Sequence, residues 1–343
     1  MSLEVYSPDF STRREISHAI SIMLSVYYRD TGKMTIVMPI DDYNIAALQK
    51  NAVVYDTVRK RPYVIVNVKV DTELNRITAN GFTSEWLLNK RAIIEKATVN
   101  NVESGAYSAV NANLRGLTRI RTAPVSGLPD SLDGYELYEK QLLDGIDDVL
   151  GEVELGRRTD WDEATNEHVF TIYKGVDRTE GIHSVVFSEE QGTAKELVIN
   201  DDDSTYKNVA YITAEYRDET TELISVGQAE GDDRREIFST RTIRQMPDES
   251  KEDVQKRAKA EAALELARNL QRKNFSVVID PEDLGEKYDL GDVVACVSIR
   301  FGVQFTARVT GVKYTLDLRG EKTEVILGTP NITAIGGLTL GRY

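Results

Sequence analysis

The two ends of the chain carry similar series of short strand patterns, and this repetition constrains the fold more than any other feature. The C-terminal series, residues 275–328, places β-branched residues between Gly, Pro and Asp turns, as antiparallel meanders do. The N-terminal series contains an alternating stretch at residues 18–28, a strand at 35–40, and a meander that ends at Gly81.

The spacing within the two series also agrees. A strand at Ile36 is followed 17 residues later by Val53, and a strand at Val277 is followed 16 residues later by Val293. Each series then passes through a turn, a long Val-rich strand and a second turn to a short strand that ends in glycine. We interpret the two series as an internal duplication of a small four-strand unit. The alternative is that any two antiparallel meanders look alike at this level of detail.

Between the two series, the pattern changes to helices and then back to strands. Capping residues and apolar stripes predict helices at residues 82–93, 101–114 and 135–150. Strands are predicted at residues 168–175, 184–188, 209–216, 221–227 and 234–238. The clearest helix follows the capping residue Ser250 and runs to Asn274, with apolar residues at every fourth position from Val254 to Leu270.

These patterns predict a β-rich α+β chain with two related small antiparallel β-barrel domains, separated by a helical segment and a middle β domain. The predicted divisions are a first barrel at residues 1–95, a helical connector at 96–160, a middle β domain at 161–245, a connecting helix with the second barrel at 246–331, and a C-terminal tail at 332–343.

Composition narrows the class of protein. With 343 residues the chain is long enough for two or three domains. Its net charge of -14 argues against nucleic-acid or anionic-membrane binding through the whole surface. No apolar run approaches the roughly 20 residues of a membrane span, and no signal peptide is visible. We therefore expect a soluble protein made in the cytoplasm, without stable membrane insertion and without sequence-specific nucleic-acid binding.

The residues most often used in catalysis are sparse. The single cysteine, Cys296, lies in a predicted strand and is interpreted as a core thiol rather than a nucleophile. His18, His168 and His183 do not have the spacing of metal ligands, and two of them lie in predicted strands. We interpret all three as structural.

Acidic clusters give no clearer site. Asp201, Asp202 and Asp203 lack the glycine and distal glutamate of a calcium loop, so a solvated turn is favoured over a weak ion site. Residues 231–235 are interpreted as a charged turn, and residues 160–163 as a linker around a packed Trp161. A glycosidase-type carboxylate pair cannot be chosen among 56 acidic residues. The sequence thus predicts no catalytic, cofactor-binding or metal-binding residues, and no cofactor.

The order of these segments resembles the hub proteins at the tail tip of siphophages and related prophages, a family related to the central baseplate hub of contractile phages. The likeness spans nearly the whole chain. It is carried by five segments, at residues 29–39, 79–93, 173–179 with 185–188, 206–211, and 288–294 with the closing meander.

The resemblance implies a non-enzymatic virion protein that forms a homotrimeric ring at the tail tip. Each subunit would contribute two similar barrels, matching a six-fold tail tube to a three-fold tip. The implied partners are the distal tail protein, the tape-measure protein, and a tip fibre or tail lysin. DNA would cross the ring during ejection, past a wall expected to be acidic. The chain ends soon after the second meander, so no appended lytic domain is expected. The alternatives are a tail-associated cell-wall hydrolase and a receptor- or carbohydrate-binding tip protein.

Overall fold

The structure is a computed structural model that describes residues 1–202, 205–269, 272–278, 283–299, 303–328 and 331–334. It divides into two compact units. The larger contains Met1–Val198 and Ser276–Tyr343, and the smaller contains Ile199–Phe275. The predicted turns at Asp280 and Phe301 and most of the predicted tail lie outside the described residues. Within the described ranges, no helix combines the length and the apolar character needed to span a bilayer.

The chain is rich in strands and has few helices. The strands are β1 Leu3–Tyr6, β2 Arg13–Glu15, β3 Ser21–Tyr27, β4 Lys33–Pro39, β5 Val53–Asp56, β6 Arg61–Asp71, β7 Arg76–Thr83, β8 Ala97–Asn101, β9 Ile120–Thr122, β10 Ser131–Leu137, β11 Gly156–Asp162, β12 Glu167–Tyr173, β13 Val186–Phe187, β14 Glu196–Asp202, β15 Val209–Glu215, β16 Thr221–Val226, β17 Glu236–Arg244, β18 Arg272–Val278, β19 Val293–Ser298, β20 Val303–Asp317, β21 Gly320–Leu327 and β22 Asn331–Ala334. The helices are α1 Asp42–Ala47, α2 Val102–Asn113, α3 Leu142–Glu152 and α4 Lys251–Arg268, with 3-10 helices at Ser84–Lys90 and Gly231–Asp233.

One antiparallel sheet dominates the larger unit. Its strands follow the order β21-β20-β3-β4-β7-β6-β5-β1-β2. Along β3 the buried residues Ile22 and Leu24 flank Met23, whose side chain is exposed. This is the period of two that predicted a half-buried strand. The alternation begins earlier in the sequence than the strand itself, which starts at Ser21.

The meander β5-β6-β7 and the meander β19-β20-β21 have the same pairing order, in which the long strand lies between two shorter ones. Both long strands carry a one-residue bulge against the strand that follows. In β6 the register shifts between Ile65 and Asn67, and in β20 it shifts between Val309 and Gly311. A bulge kinks and twists a strand, so a matched bulge is a specific point of likeness.

The backbone around each bulge repeats as well. Asn51 N donates to Ile65 O over 2.7 Å, and Gly291 N donates to Val309 O over 2.8 Å. Both donors have left-handed backbones, with φ of 68° at Asn51 and 97° at Gly291. Only asparagine and glycine adopt this conformation readily. The likeness between the series thus extends from strand order to individual hydrogen bonds.

The two series also share one sheet. Strand β3 of the N-terminal series pairs with β20 of the C-terminal series, from Tyr27 opposite Gly311 to Ile22 opposite Leu316. The two series were predicted to form two separate domains. The ladder between β3 and β20 instead joins their strands directly.

A junction around Tyr28 holds three parts of the larger unit together. The hydroxyl of Tyr28 donates to Glu154 O over 3.1 Å, and its ring meets the ring of Tyr173 edge-on at 5.3 Å. A Cβ atom at Gly156 would lie 2.0 Å from the Tyr28 ring, and one at Gly291 would lie 2.4 Å away. Glycine is therefore required at both positions, because any side chain would displace the ring.

The segment predicted as helix-rich contains α2 and α3, but also strands. Residues 135–137 belong to β10, which pairs with β8, so the predicted helix at 135–150 is wrong at its start. The first predicted helix is a 3-10 helix, Ser84–Lys90. The apolar stripe of α3 begins only at Leu142, which packs with Ile146 and Val149 in a buried core. The predicted stripe began at Tyr138, four residues before Leu142, but Tyr138 directly follows strand β10, which ends at Leu137.

The smaller unit is a three-stranded sheet, β16-β15-β17, with α4 against one face. The predicted cap is present, since Ser250 Oγ accepts the N–H of Asp253 over 3.1 Å. Val254, Ala258 and Ala262 of α4 are fully buried against the strands. The predicted boundary at residue 245 assigned this helix to the second barrel, whereas in the structure it shares the core of the middle strands.

Candidate functional site

His168 and Cys296 are buried, whereas the other two histidines are exposed. His168 is 1% exposed and lies 4.8 Å from the ring of Trp161. Burial, with a smaller effect of Arg119, lowers the pKa of His168 to about 3. His18 and His183 are exposed. Cys296 is buried in β19, and burial raises the pKa of its thiol, which makes it a poor nucleophile.

The acidic residues around Trp161 are held by arginines. Asp160 accepts from Arg61 over 2.9 Å, and Asp162 accepts from Arg121 over 3.0 Å. Residues 156–162 form strand β11 rather than the predicted linker, with Trp161 packed inward as expected. Both carboxylates therefore take part in ion pairs along this strand.

The remaining acidic clusters show no metal site among the side chains that the structure describes. Gly231–Asp233 is a 3-10 helix with no buried residue, as expected of a charged turn. Asp203 lies outside the described residues, as do the side chains of Asp201 and Asp202. Among the residues that the structure describes, no group of three or more His, Cys, Asp or Glu side chains could hold a metal ion.

A buried ionic cluster was not anticipated from the sequence. Arg157 is 1% exposed, and its Nη2 donates to Asp147 Oδ2 over 2.8 Å while its Nη1 lies 3.2 Å from Glu85 Oε1. Thr159 also donates to Glu85, over 3.1 Å. Burial lowers the pKa of Arg157, but the two carboxylates outweigh it, so the net change is upward. The cluster ties α3, β11 and the first 3-10 helix together, and its enclosure favours a structural role. The alternating pattern of residues in β11 was the only sequence feature that pointed to this cluster.

The smaller unit has an exposed aromatic pair that the sequence analysis missed. Tyr211 and Phe238 lie on neighbouring strands with ring centroids 6.4 Å apart and planes at 22°. Phe238 is 57% exposed, as is Leu223 on β16. Arg234 donates to the Tyr211 hydroxyl, which donates to Glu236. The sequence feature that could have revealed this pair is the position of the two aromatic residues on the outward side of strands with an alternating pattern.

One face of the large sheet is uncovered and polar. Thr35 donates to Asn80 over 2.9 Å, and Asn80 donates to Asn67 over 3.4 Å. The register places one residue from each of six strands in the same row across this face, namely Lys322, Thr315, Met23, Thr35, Asn80 and Asn67. Lys33 and Lys69 lie on this face, as do Lys313 and Glu324, whose Nζ and Oε1 atoms are 3.7 Å apart, so the face carries charges of both signs.

The last part of β6 forms an open sheet edge. Strand β5 pairs with β6 only as far as Val64, and among the described residues no strand continues along that edge past the bulge. In the equivalent strand β20, the same edge is occupied by β3. Asn67, Lys69 and Val70 are exposed on β6, and Val70 is 50% exposed. Unpaired N–H and C=O groups on such an edge can accept a further strand.

This arrangement has known counterparts. Residues 2–329 match the family described as Siphovirus ReqiPepy6 Gp37-like protein. The chain belongs to this family. The match covers both strand series and everything between them. No protein in the curated set matches the chain.

Solved phage tail proteins share the fold. The tail protein from Neisseria meningitidis MC58 aligns over 96% of both chains with a TM-score of 0.57 at 11% identity. The 43 kDa tail protein of prophage MuSo2 from Shewanella oneidensis aligns over 95% of this chain and 97% of that chain, with a TM-score of 0.56 at 8% identity.

Prophage tail protein gp18 from Listeria monocytogenes EGD-e aligns over 96% of this chain and 94% of that chain, with a TM-score of 0.53 at 12% identity. At these identities the likeness concerns the fold. The resemblance to siphophage tail-tip proteins that the sequence predicted is confirmed at the level of family and fold.

Proposed function

We propose that the chain is a structural virion protein that forms the hub ring at the distal end of a siphophage or prophage tail, without catalytic activity. Three copies would form the ring, and each would supply two related small barrels, one built on β4–β7 and one on the C-terminal series. The proposed order of domains along the chain is the predicted one, except that α4 belongs to the same domain as the middle strands. The open edge of β6 is the observation that carries the proposal.

Strands β6 and β20 occupy equivalent positions in the two series. Each pairs with the strand before it and the strand after it in its own meander. Beyond the bulge β20 also pairs with β3, whereas β6 has no further strand partner among the described residues. The edge of β6 that corresponds to the paired edge of β20 is therefore open. A strand from a neighbouring copy of the chain can pair with this open edge. Repeating this contact around a rotation axis closes a ring. Two units per chain and three chains give six similar positions around the ring.

The uncovered polar face of the sheet suits the wall of a passage for DNA. Thr35, Asn80 and Asn67 hydrogen-bond to one another on this face, and its charges are of both signs, so the described part of the face presents no continuous cationic surface to hold phosphate. The sequence predicted an acidic wall, whereas this face carries both positively and negatively charged side chains. The distal tail protein, the tape-measure protein and a tip fibre or lysin are the proposed partners of the ring at the virion tail tip.

Light scattering and electron microscopy of the purified chain test the proposal. We expect a ring of three copies, and a shift to lower mass for Val70→Asp, which places a charge on the open edge. Val125→Asp is the matched control, because Val125 is 56% exposed in a loop away from that edge. A wild-type chain that stays monomeric at high concentration, both alone and with the distal tail protein, would refute the ring.

The exposed pair Tyr211 and Phe238 favours a second candidate function, carbohydrate binding at the tail tip. Flat aromatic side chains beside Arg234 and Glu236 could stack on a sugar ring and hydrogen-bond to its hydroxyls. Binding to purified host cell wall that is lost in Phe238→Ser would support it, and equal binding by both proteins would dismiss it. Release of soluble wall fragments by the wild-type chain would instead support the hydrolase alternative.

A further inference from the structure

A cavity of about 450 Å³ lies against the inner face of the large sheet. Three neighbouring strands form its floor, where Val26 of β3 lies opposite Val312 of β20 and Tyr314 of β20 lies opposite Thr323 of β21. The turn between β5 and β6 and the loop at residues 284–290 supply most of the remaining walls. The cavity therefore lies where the N-terminal and C-terminal series meet, within the larger unit.

The walls of this cavity are more apolar than polar. Val26, Val312, Leu290 and the ring of Tyr314 line it, and all four side chains are buried. An apolar cavity of about 150 Å³ holds one benzene-sized molecule. Pockets for small ligands usually measure roughly 300–1,000 Å³ and combine apolar walls with a few polar groups. This cavity thus has room for a molecule of two fused rings.

One polar group on the floor lacks a hydrogen bond. Thr323 is 1% exposed, and its hydroxyl has no partner among the described residues. A buried hydroxyl without a hydrogen bond lowers stability and is uncommon in native proteins. A ligand that carries a hydrogen-bonding group beside Thr323 would satisfy this hydroxyl.

The arginines at the edge of the cavity are already paired with carboxylates. Arg59 donates to Asp56 over 2.9 Å and also to Glu321. Arg61 donates to Asp160 over 2.9 Å. A charged ligand would lose its hydration on entry, and these ion pairs leave it little compensating attraction. The cavity is therefore better suited to a neutral molecule.

We propose that this cavity binds a neutral amphipathic small molecule of one or two rings. Its apolar body fills the space against Val26 and Val312, and its polar group hydrogen-bonds to Thr323. Because the floor combines β3 with β20 and β21, the ligand contacts both series at once, and its binding stabilises the larger unit. The site is complete within one copy of the chain, so the inference does not depend on the proposed ring.

Indole is a suitable probe, because it is neutral, has two fused rings and carries one N–H donor. Isothermal titration calorimetry should find one site per chain with a dissociation constant on the order of 0.1–1 mM, and thermal unfolding should shift upward. Thr323→Val removes the hydroxyl and keeps the shape, so it should weaken the affinity about fivefold without lowering stability. Thr315→Val is the matched control, because Thr315 lies on the opposite face of β20, and it should bind like the wild type.

Charged analogues of the same ring test the neutral class. Indole-3-acetate and tryptamine should both bind more weakly than indole, although Asp289 places an exposed carboxylate beside the cavity. Leu284→Trp puts a large side chain in the cavity wall and should abolish binding. Four results would each overturn the inference: no saturable binding of indole, tighter binding of either analogue, wild-type affinity in Thr323→Val, or retained binding in Leu284→Trp.

Discussion

His168 should make the larger unit less stable in mild acid. Its imidazole is 1% exposed, packs against Trp161, and has no hydrogen-bond partner for Nδ1 among the described residues. Burial lowers its native pKa to about 3 from the usual 6.5. The unfolded chain therefore takes up a proton first as the pH falls. The stability that the neutral histidine contributes is complete above about pH 6.5 and is progressively lost toward pH 3.

The size of the effect follows from the difference in pKa. At pH 5, about 1.5 pH units below the unfolded value, protonation of the unfolded state costs the native state about 2 kcal/mol relative to pH 8. His168→Phe removes this titration and keeps an aromatic ring of similar size in the core. The variant can differ from the wild type in absolute stability. The gap between their free energies of unfolding should nevertheless change by about 2 kcal/mol between pH 8 and pH 5, to the disadvantage of the wild type.

Urea unfolding followed by tryptophan fluorescence measures this change. Both tryptophans, Trp86 and Trp161, lie in the larger unit, so the signal reports on that unit. His183→Gln changes an exposed histidine and should keep the wild-type dependence on pH. If the profiles of the wild type and His168→Phe run parallel from pH 8 to pH 5, the buried neutral imidazole is not the cause, and the reasoning is refuted.

Three further predictions concern the larger unit. Gly156→Ala should lower its stability by about 3 kcal/mol in thermal unfolding, because the new methyl group would lie 2.0 Å from the Tyr28 ring. Gly151→Ala in α3 should be neutral or slightly stabilising, because its methyl group would make only an ordinary contact, 3.6 Å from Arg29 Nη1. Glu103→Ala should speed amide exchange in the loop at residues 126–128, because the Glu103 carboxylate accepts hydrogen bonds from the three backbone N–H groups of this loop. Unchanged exchange would show that other contacts hold the loop. Cys296 should not react with a thiol reagent at pH 8 until urea unfolds the chain, and rapid reaction of the native protein would contradict its burial.

Local patterns in the sequence were sufficient for much of the fold. Alternation located β4 and β12 close to their observed bounds, and Ser250 marked the start of α4 because a cap is a local feature. Residues 135–137 were assigned to a helix because Tyr138 lies four residues before Leu142 and so extends the stripe of α3 toward the N-terminus. Their strand depends on pairing with β8, which lies outside any local window.

The features that define the candidate site are non-local, and for that reason the sequence did not reveal them. Strand β3 reaches β20 across almost the whole chain, and nothing in residues 21–27 specifies this partner. The buried charge of Arg157 is compensated by Asp147 and by Glu85, which is remote in sequence. The similarity of the two strand series was visible because it lies in the spacing of strand patterns along the sequence. The open edge of β6 became visible only when its strand neighbours could be compared with those of β20.

The ladder between β3 and β20 also has a consequence for synthesis. A ribosome releases the N-terminal strands long before the C-terminal strands exist, so β3 emerges with one edge unpaired. That edge is filled only when residues 311–316 have left the exit tunnel. A truncated product therefore keeps an unpaired strand that chaperones and proteases can recognise, whereas the full-length chain covers it. Completion of this sheet thus distinguishes finished from unfinished chains before they can enter a larger structure.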